Sequence, residues 1–232
     1  MKREIVLDTE TTGLNPLAGD RVVEIGCVEL VNHIPTGRHF HQYINPERSM
    51  PEDAFKVHGL SDDFLRDKPK YAEIADTFLD FVGDAALVIH NAAFDIGFLN
   101  AEHTRLGHPE FANEVIDTVL LARKVHPGAR VSLDALCKHY GIDNSKRTLH
   151  GALLDSQILA EVYLELIGGR QVTLALAEEI VAAADPLTGQ RAAARQRPVP
   201  LPARLGEAAL EAHRELLKTL GSEPLWAYYD AE

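Results

Sequence analysis

From Leu7 to Gly13 the chain reads LDTETTG, its leucine the last residue of the apolar run Ile5-Val6-Leu7. Side chains alternate faces along an extended segment, so Asp8 and Glu10 point the same way. An ionised carboxylate resists leaving water, and two at the end of a buried strand need compensation from elsewhere in the chain. The anomaly recurs twice. In HGALLDSQILAEVY (150–163), Asp155 shares a helical face with Ile158, Leu159 and Val162. In VIHNAAFDIGFLN (88–100), Asp95 stands three and four residues before Phe98 and Leu99. Singly, each acid reads as an N-cap, an ion-pair partner or a half-exposed group. Four together, from three segments with few cations near them in sequence, read as oxygen ligands for a hard divalent ion, Mg2+ or Mn2+. Two such ions about 3.5–4 Å apart form the usual clamp for in-line displacement at phosphorus.

Hydrolysis at such a site needs a general base. His150 lies five residues before Asp155, in the loop Thr148-Leu149-His150-Gly151. An unperturbed imidazole titrates near pH 6.5, which suits it to take a proton from water near neutrality. Gly151 beside it permits close backbone approach. His90, at the end of the Leu87–Ile89 strand, is the rival, and reads more readily as a hydrogen-bonded histidine at a strand end. Lys146 and Arg147 read equally as phosphate contacts and as a solvated loop.

Rigid elements must carry these groups. Ile5–Leu7, Val22–Val31 (interrupted by Glu24 and Glu29) and a run around Phe40–Ile44 predict three antiparallel strands. A polar loop follows. Pro69 then opens a helix with Ile74, Phe78, Phe81 and Val82 at helical spacing. Ala85–Ile89 predicts a buried strand, and helices are expected at about 94–106, 118–125, 132–140 and 151–167. The mixture implies an α/β sheet covered by helices. Residues 185–204 contain four prolines and four arginines and little apolar content, the composition of a linker. Beyond it Leu205, Ala209, Ala212, Leu216 and Leu220 mark one face of a helix that Gly221 would stop.

At 232 residues the chain has room for one generous domain and extra segments. No run approaches the roughly 18–20 apolar residues of a membrane span, and the N-terminus enters a strand and not a signal-peptide pattern. Cys27 and Cys137 form no metal-type cluster and are expected as reduced core thiols in a cytoplasmic protein. A net charge of −12 argues against long-range steering onto a polyanion, so any nucleic-acid role must rest on a local site or on partners.

LDTETTG, VIHNAAFDIGF and KRTLHGALLDSQILAEVY resemble the three motifs of the DEDDh 3′→5′ exonucleases, and within them the proofreading (epsilon) subunits of bacterial DNA polymerase III. The likeness runs through residues 4–176 and returns in the tail. It implies a ribonuclease-H-like fold, a mixed sheet flanked by helices. It makes Asp8, Glu10, Asp95 and Asp155 the metal-binding acids and His150 the base. PEDAFKVHGLSDDFL (51–65) resembles the family loop beside the terminal nucleotide, which points to Asp53 and His58. Asp53 departs from the family's more frequent Glu. Phe55 and Val57 read either as a wall for the base or as packing, and Thr9 as a contact to the terminal nucleotide alongside Asp8, Glu10 and Asp155.

The resemblance also implies an organisation and partners. Residues 1–170 would be the exonuclease domain. Gln171, Leu174 and Leu176, within 171–176, resemble a sliding-clamp (beta) motif, or continue a helix. Residues 177–204 would be a flexible linker, and 205–232 a tail that binds the polymerase alpha subunit through Leu216, Leu220, Leu225 and Trp226. A small theta-like accessory subunit is a further expected partner, and the location would be the bacterial replisome. The expected reaction is two-metal hydrolysis of a single-stranded DNA 3′ end, releasing a deoxynucleoside 5′-monophosphate. The rivals are an RNA- or oligonucleotide-trimming enzyme and a non-catalytic adaptor between clamp and polymerase.

Overall fold

The computed structural model describes residues 2–145, 147, 149–169 and 206–219. The chain divides into two units, Met1–Thr173 and Leu174–Glu232. In the first, five strands form one sheet: β1 (Arg3–Thr11), β2 (Val22–Val31), β3 (Ile34–Tyr43), β4 (Ala86–Ile89) and β5 (Val115–Asp117), in the order β3-β2-β1-β4-β5. β1 pairs antiparallel with β2, and β2 with β3. β4 pairs parallel with β1 and with β5. The helices are α1 (Glu52–His58), α2 (Asp62–Leu65), α3 (Tyr71–Val82), α4 (Ala92–Leu106), α5 (Thr118–Val125), α6 (Leu133–Tyr140) and α7 (Ala152–Leu166).

Alternation along the strands builds two cores, one on each face of the sheet. Ile5, Leu7, Ile25 and Cys27 pack with Ile74 and Phe78 of α3 and Phe98 and Leu99 of α4. Val6, Val28, Leu30 and Val88 pack with Leu136 of α6 and Ile158, Leu159 and Val162 of α7. The even-numbered residues of β1 therefore face α7. At the near end of that row Glu4 accepts a hydrogen bond from the Tyr163 hydroxyl at 2.8 Å, and Asp8 and Glu10 continue it. Cys27 and Cys137 are buried free thiols in opposite cores.

The mixed sheet agrees with the sequence reading, with three corrections. The polar loop after β3 holds α1 and α2, short helices whose exposed Phe55, Val57 and Phe64 give no apolar stripe. β5, three residues long, is too short to announce itself by alternation. β3 begins at Ile34 and not near Phe40. The buried Glu29 on β2 is met by Arg3 at 2.7 Å and Arg38 at 2.8 Å.

The second unit contributes α8 (Glu207–Thr219), which carries Leu216. The expected linker 177–204 and Lys146, Gln171, Leu174, Leu176, Leu220, Leu225 and Trp226 lie outside the described residues. Among the described residues, no helix is long and apolar enough to cross a membrane.

Candidate active site

Three local devices bring the predicted side chains together. The first is strand register. Asp8 pairs with Gly26 and Glu10 with Glu24 across β1 and β2. A Cβ on Gly26 would lie 2.2 Å from the Leu153 nitrogen. Only the bare backbone lets the first turn of α7 sit on the sheet, where the Ser156 hydroxyl donates to the Gly26 carbonyl at 2.8 Å. Asp155 belongs to that turn. Close approach is thus needed at Gly26; at Gly151, where the sequence reading put it, an added Cβ would meet open space.

The second device is the turn from β4 into α4. Asn91 has φ +67, a left-handed conformation that asparagine tolerates better than most residues. It reverses the chain within two residues, and the Ala92 N–H donates to Asp117 at 3.1 Å. Asp95 then falls in the first turn of α4, where the Thr9 hydroxyl donates to its Oδ1 at 2.6 Å. Thr9 lies between the two acids of β1, so this bond ties the first motif to the second. The third device is the end of α1, where the His150 N–H donates to the Val57 carbonyl at 3.1 Å.

Glu10, His150 and Asp155 each bring one ligand atom within 4.8 Å of the others. Glu10, Asp95 and Asp155 are buried and Asp8 is half-buried. Burial, followed by Asp95, Glu10 and Asp155, pushes the Asp8 carboxyl well above its usual range. Burial and the opposing Glu24 raise Glu10 to about 8. Burial raises Asp95 to about 7, against the hydrogen bond from Thr9. Asp155 goes the other way: burial would raise it, but hydrogen bonds from His150 and Arg147 hold it below its usual value.

Arg147 is the cation that sequence proximity did not assign. Its Nε and Nη2 donate to the two Asp155 oxygens at 2.6 and 2.7 Å. Nη1 donates to Asp134 at 2.8 Å, and Nη2 lies 2.8 Å from His150 Nδ1. That settles against a solvated loop for this residue. Among the described residues one guanidinium, that of Arg147, offsets Asp8, Glu10 and Asp155, so these acids are undercompensated. An all-oxygen set with one imidazole, short of positive charge, fits a hard divalent cation.

Stability should register this. A carboxyl whose folded pKa is raised binds its proton more tightly folded than unfolded, so stability is lost as pH rises from the unfolded to the folded value. In EDTA the melting temperature should therefore fall between pH 4.5 and about 8 as Glu10 and Asp95 ionise. Millimolar Mn2+ should recover it. Scanning fluorimetry across that window checks the sign; a rise in EDTA would mean the acids are already compensated.

The remaining predicted residues separate. His58 is buried; its Nδ1 accepts from the Leu60 N–H at 3.0 Å, while Nε2, beside the Thr11 backbone, makes no hydrogen bond of good geometry. That nitrogen is itself shielded from solvent. Asp53 is fully exposed on α1, and among the described residues its ion-pair partner is Lys56 at 3.8 Å. His90 Nδ1 lies 3.0 Å from the Thr118 hydroxyl, as expected of a histidine at a strand end. Glu24 escaped the sequence reading: on β2 it looked like an interruption, yet it stands opposite Glu10 and contacts His41 at 2.7 Å.

With this geometry in view, known proteins give a consistent picture. The family model described as Exonuclease matches residues 5–163. The DNA polymerase III subunit epsilon of Rickettsia prowazekii is 58% identical over 175 residues, 74% of this chain and 76% of that protein. That of Escherichia coli is 55% identical over 185 residues, 76% of each. That of Salmonella typhimurium is 48% identical over 236 residues, 97% of each. Among solved structures, Exonuclease X in complex with 5′ overhanging duplex DNA aligns with a TM-score of 0.57 at 28% identity, over 71% of this chain and 90% of its own. The nuclease domain of 3'hExo, a DEDDh family member bound to rAMP, aligns with a TM-score of 0.63 over 72% of this chain and 92% of its own. At 19% identity that likeness bears on the fold alone.

Proposed function

Because the chain belongs to the exonuclease family, alongside the epsilon subunits of DNA polymerase III, and is a 3′→5′ exonuclease, we propose that it proofreads for a replicative polymerase. The substrate on this reading is the 3′-terminal nucleotide of a single-stranded or mispaired DNA end, and the product a deoxynucleoside 5′-monophosphate. The observation that carries it is the convergence of Glu10, His150 and Asp155 within 4.8 Å, beside a carboxyl set short of counter-charge.

The exonuclease fold of this family generally uses divalent metals, and Asp8, Glu10, Asp95 and Asp155 would hold two, Mg2+ or Mn2+. Bound there, the ions would supply Lewis-acid stabilisation of the charge on the attacking and leaving oxygens. β1 and the first turns of α4 and α7 hold the carboxylates on rigid elements, which fixes the line of attack. His150 takes the proton of the attacking water. His58, Asp53 and Thr9 are assigned to the terminal nucleotide.

Replacing His150 tests the assignment of the base. His150→Ala should lower kcat for nucleotide release from a 3′-end-labelled strand about a hundredfold or more, with the melting temperature nearly unchanged because the side chain is half-exposed. Turnover within a few-fold of wild type would remove His150 from the role. The same assay on matched DNA and RNA strands separates proofreading from RNA trimming, and absence of metal-dependent release would favour the adaptor reading.

The proposal extends to assembly in the bacterial cytoplasm. Residues 1–170 form the nuclease, Gln171, Leu174 and Leu176 engage a sliding clamp, and 177–204 link to the tail. Leu216, Leu220, Leu225 and Trp226 bind the polymerase alpha subunit, and a theta-like accessory subunit binds the nuclease. An amphipathic helix beyond a linker suits groove binding, and tethering raises the effective concentration of the nuclease at the primer end.

A further inference from the structure

On an acidic chain the lysines and arginines are mostly spoken for. Among the described residues of Met1–Thr173, ten have a carboxylate within ion-pair distance, and Lys68 lies over the Phe64 ring at 4.3 Å. Four are left among these described residues, Arg123, Lys124, Arg130 and Lys138, and all four fall within sixteen consecutive positions. They are not scattered in space either. Arg130 and Lys138 line an open groove of about 450 Å3 between the end of α5 and α6, together with His126 and His139. Arg123 and Lys124 occupy the last turn of α5, immediately before it.

Helix ends favour cations, each by about 0.3–1 kcal/mol, and this accounts for basic residues closing α5 and α6. It does not account for Arg130, which belongs to no helix, or for the meeting of both helix ends around one groove. The nearest acid on α6, Asp134, does not neutralise the groove, because it accepts from Arg147 and from the Asn144 amide. The same bond links the chain beside the groove to the acid cluster. Asp134 is the neighbour of the groove-lining Ala135, and one guanidinium spans from Asp134 to Asp155 in the catalytic cluster.

We propose that this groove holds the sugar-phosphate backbone of the substrate strand, 5′ to the nucleotide being removed. The inference rests on the exonuclease reading and adds a second binding site to it. Guanidinium and ammonium groups recognise phosphate oxygens without reading sequence, as an enzyme that must accept any DNA end requires. It also resolves how a chain of net charge −12 grips a polyanion: by local cations that have no carboxylate at ion-pair distance among the described residues, not by a long-range field.

The test uses the full chain in EDTA, which prevents hydrolysis, and fluorescence anisotropy with 5′-labelled oligothymidylates of 4 and 16 nucleotides. Wild type should bind the longer strand about tenfold more tightly. Arg130→Glu with Lys138→Glu should reduce that ratio to near one. It should also flatten the slope of log Kd against log salt by about 1.4, the loss expected for two phosphate contacts on a single strand. Arg130→Gln with Lys138→Gln should give an intermediate ratio, and Lys68→Glu, the same change of charge elsewhere, should keep the wild-type ratio. A charge-reversed protein that folds, by circular dichroism, and keeps the full length dependence and salt slope overturns the proposal. So does an equal loss with Lys68→Glu. Metal-dependent nucleotide release by wild type is measured separately, so failure of the groove and failure of the exonuclease reading are distinguishable.

Discussion

Asp8→Asn should lower nucleotide release at least about a thousandfold and, in the same protein, raise the melting temperature measured in EDTA. The two effects have one cause. Asp8 sits against Asp95, Glu10 and Asp155, and burial together with these three carboxylates disfavours its charge. Asparagine keeps the shape and removes the repulsion, so the protein gains stability. A gain of about 1 kcal/mol would appear as roughly 2–4 °C at this chain length. The same exchange removes a charged oxygen from the proposed metal set, and a thousandfold loss corresponds to about 4 kcal/mol of transition-state stabilisation. Asp155→Asn should match the loss of activity with the opposite stability change. Its carboxylate is held by two hydrogen bonds from Arg147, and removing the charge leaves a largely buried guanidinium poorly paired. Calorimetry in EDTA on both variants reads the contrast. If Asp8→Asn melted lower, its carboxylate would be a structural group and not a ligand waiting for a cation.

The contrast also marks what could be read in the sequence. Asp8, Glu10, Asp95 and Asp155 were legible because each breaks a local pattern: an acid ends an apolar strand or sits on an apolar helix face. The sheet and the long helices were legible for the complementary reason, since Ile5–Leu7 is apolar toward both cores and Ile74–Val82 and Ile158–Val162 keep a helical period. What escaped has no local signature. Val115–Asp117 is too short to show alternation, and α1 and α2 leave Phe55, Val57 and Phe64 exposed. Arg147 stands eight residues from Asp155, and only the folded chain makes them partners. Glu24 became part of the site through strand register, which composition cannot supply.

Gly26 is the strongest case of that kind, and Gly26→Ala should cost both fold and chemistry. A Cβ there would stand 2.2 Å from the Ala152 carbon and the Leu153 nitrogen and 2.4 Å from the Ala152 oxygen. These are backbone atoms of the first turn of α7, so no rotamer change relieves the clash; the helix itself must lift. Overpacking of this sort costs about 1–3 kcal/mol, a fall of several degrees in melting temperature. The catalytic loss should be larger, because Asp155 rides on the turn that moves, and about 1 Å of misplacement costs on the order of a hundredfold. Gly97→Ala is the control: beyond its own helix backbone, no heavy atom of the described residues lies within 4 Å of its added Cβ. In the interior of α4 alanine is favoured over glycine by about 0.5–1 kcal/mol, so that variant should melt higher and keep its kcat. Turnover and melting measured on the pair separate contact at one strand position from any general sensitivity to a methyl group. A Gly26→Ala protein with kcat within a few-fold of wild type would mean that α7 reaches the sheet by another route, and that Asp155 is not positioned by the bare backbone opposite Asp8.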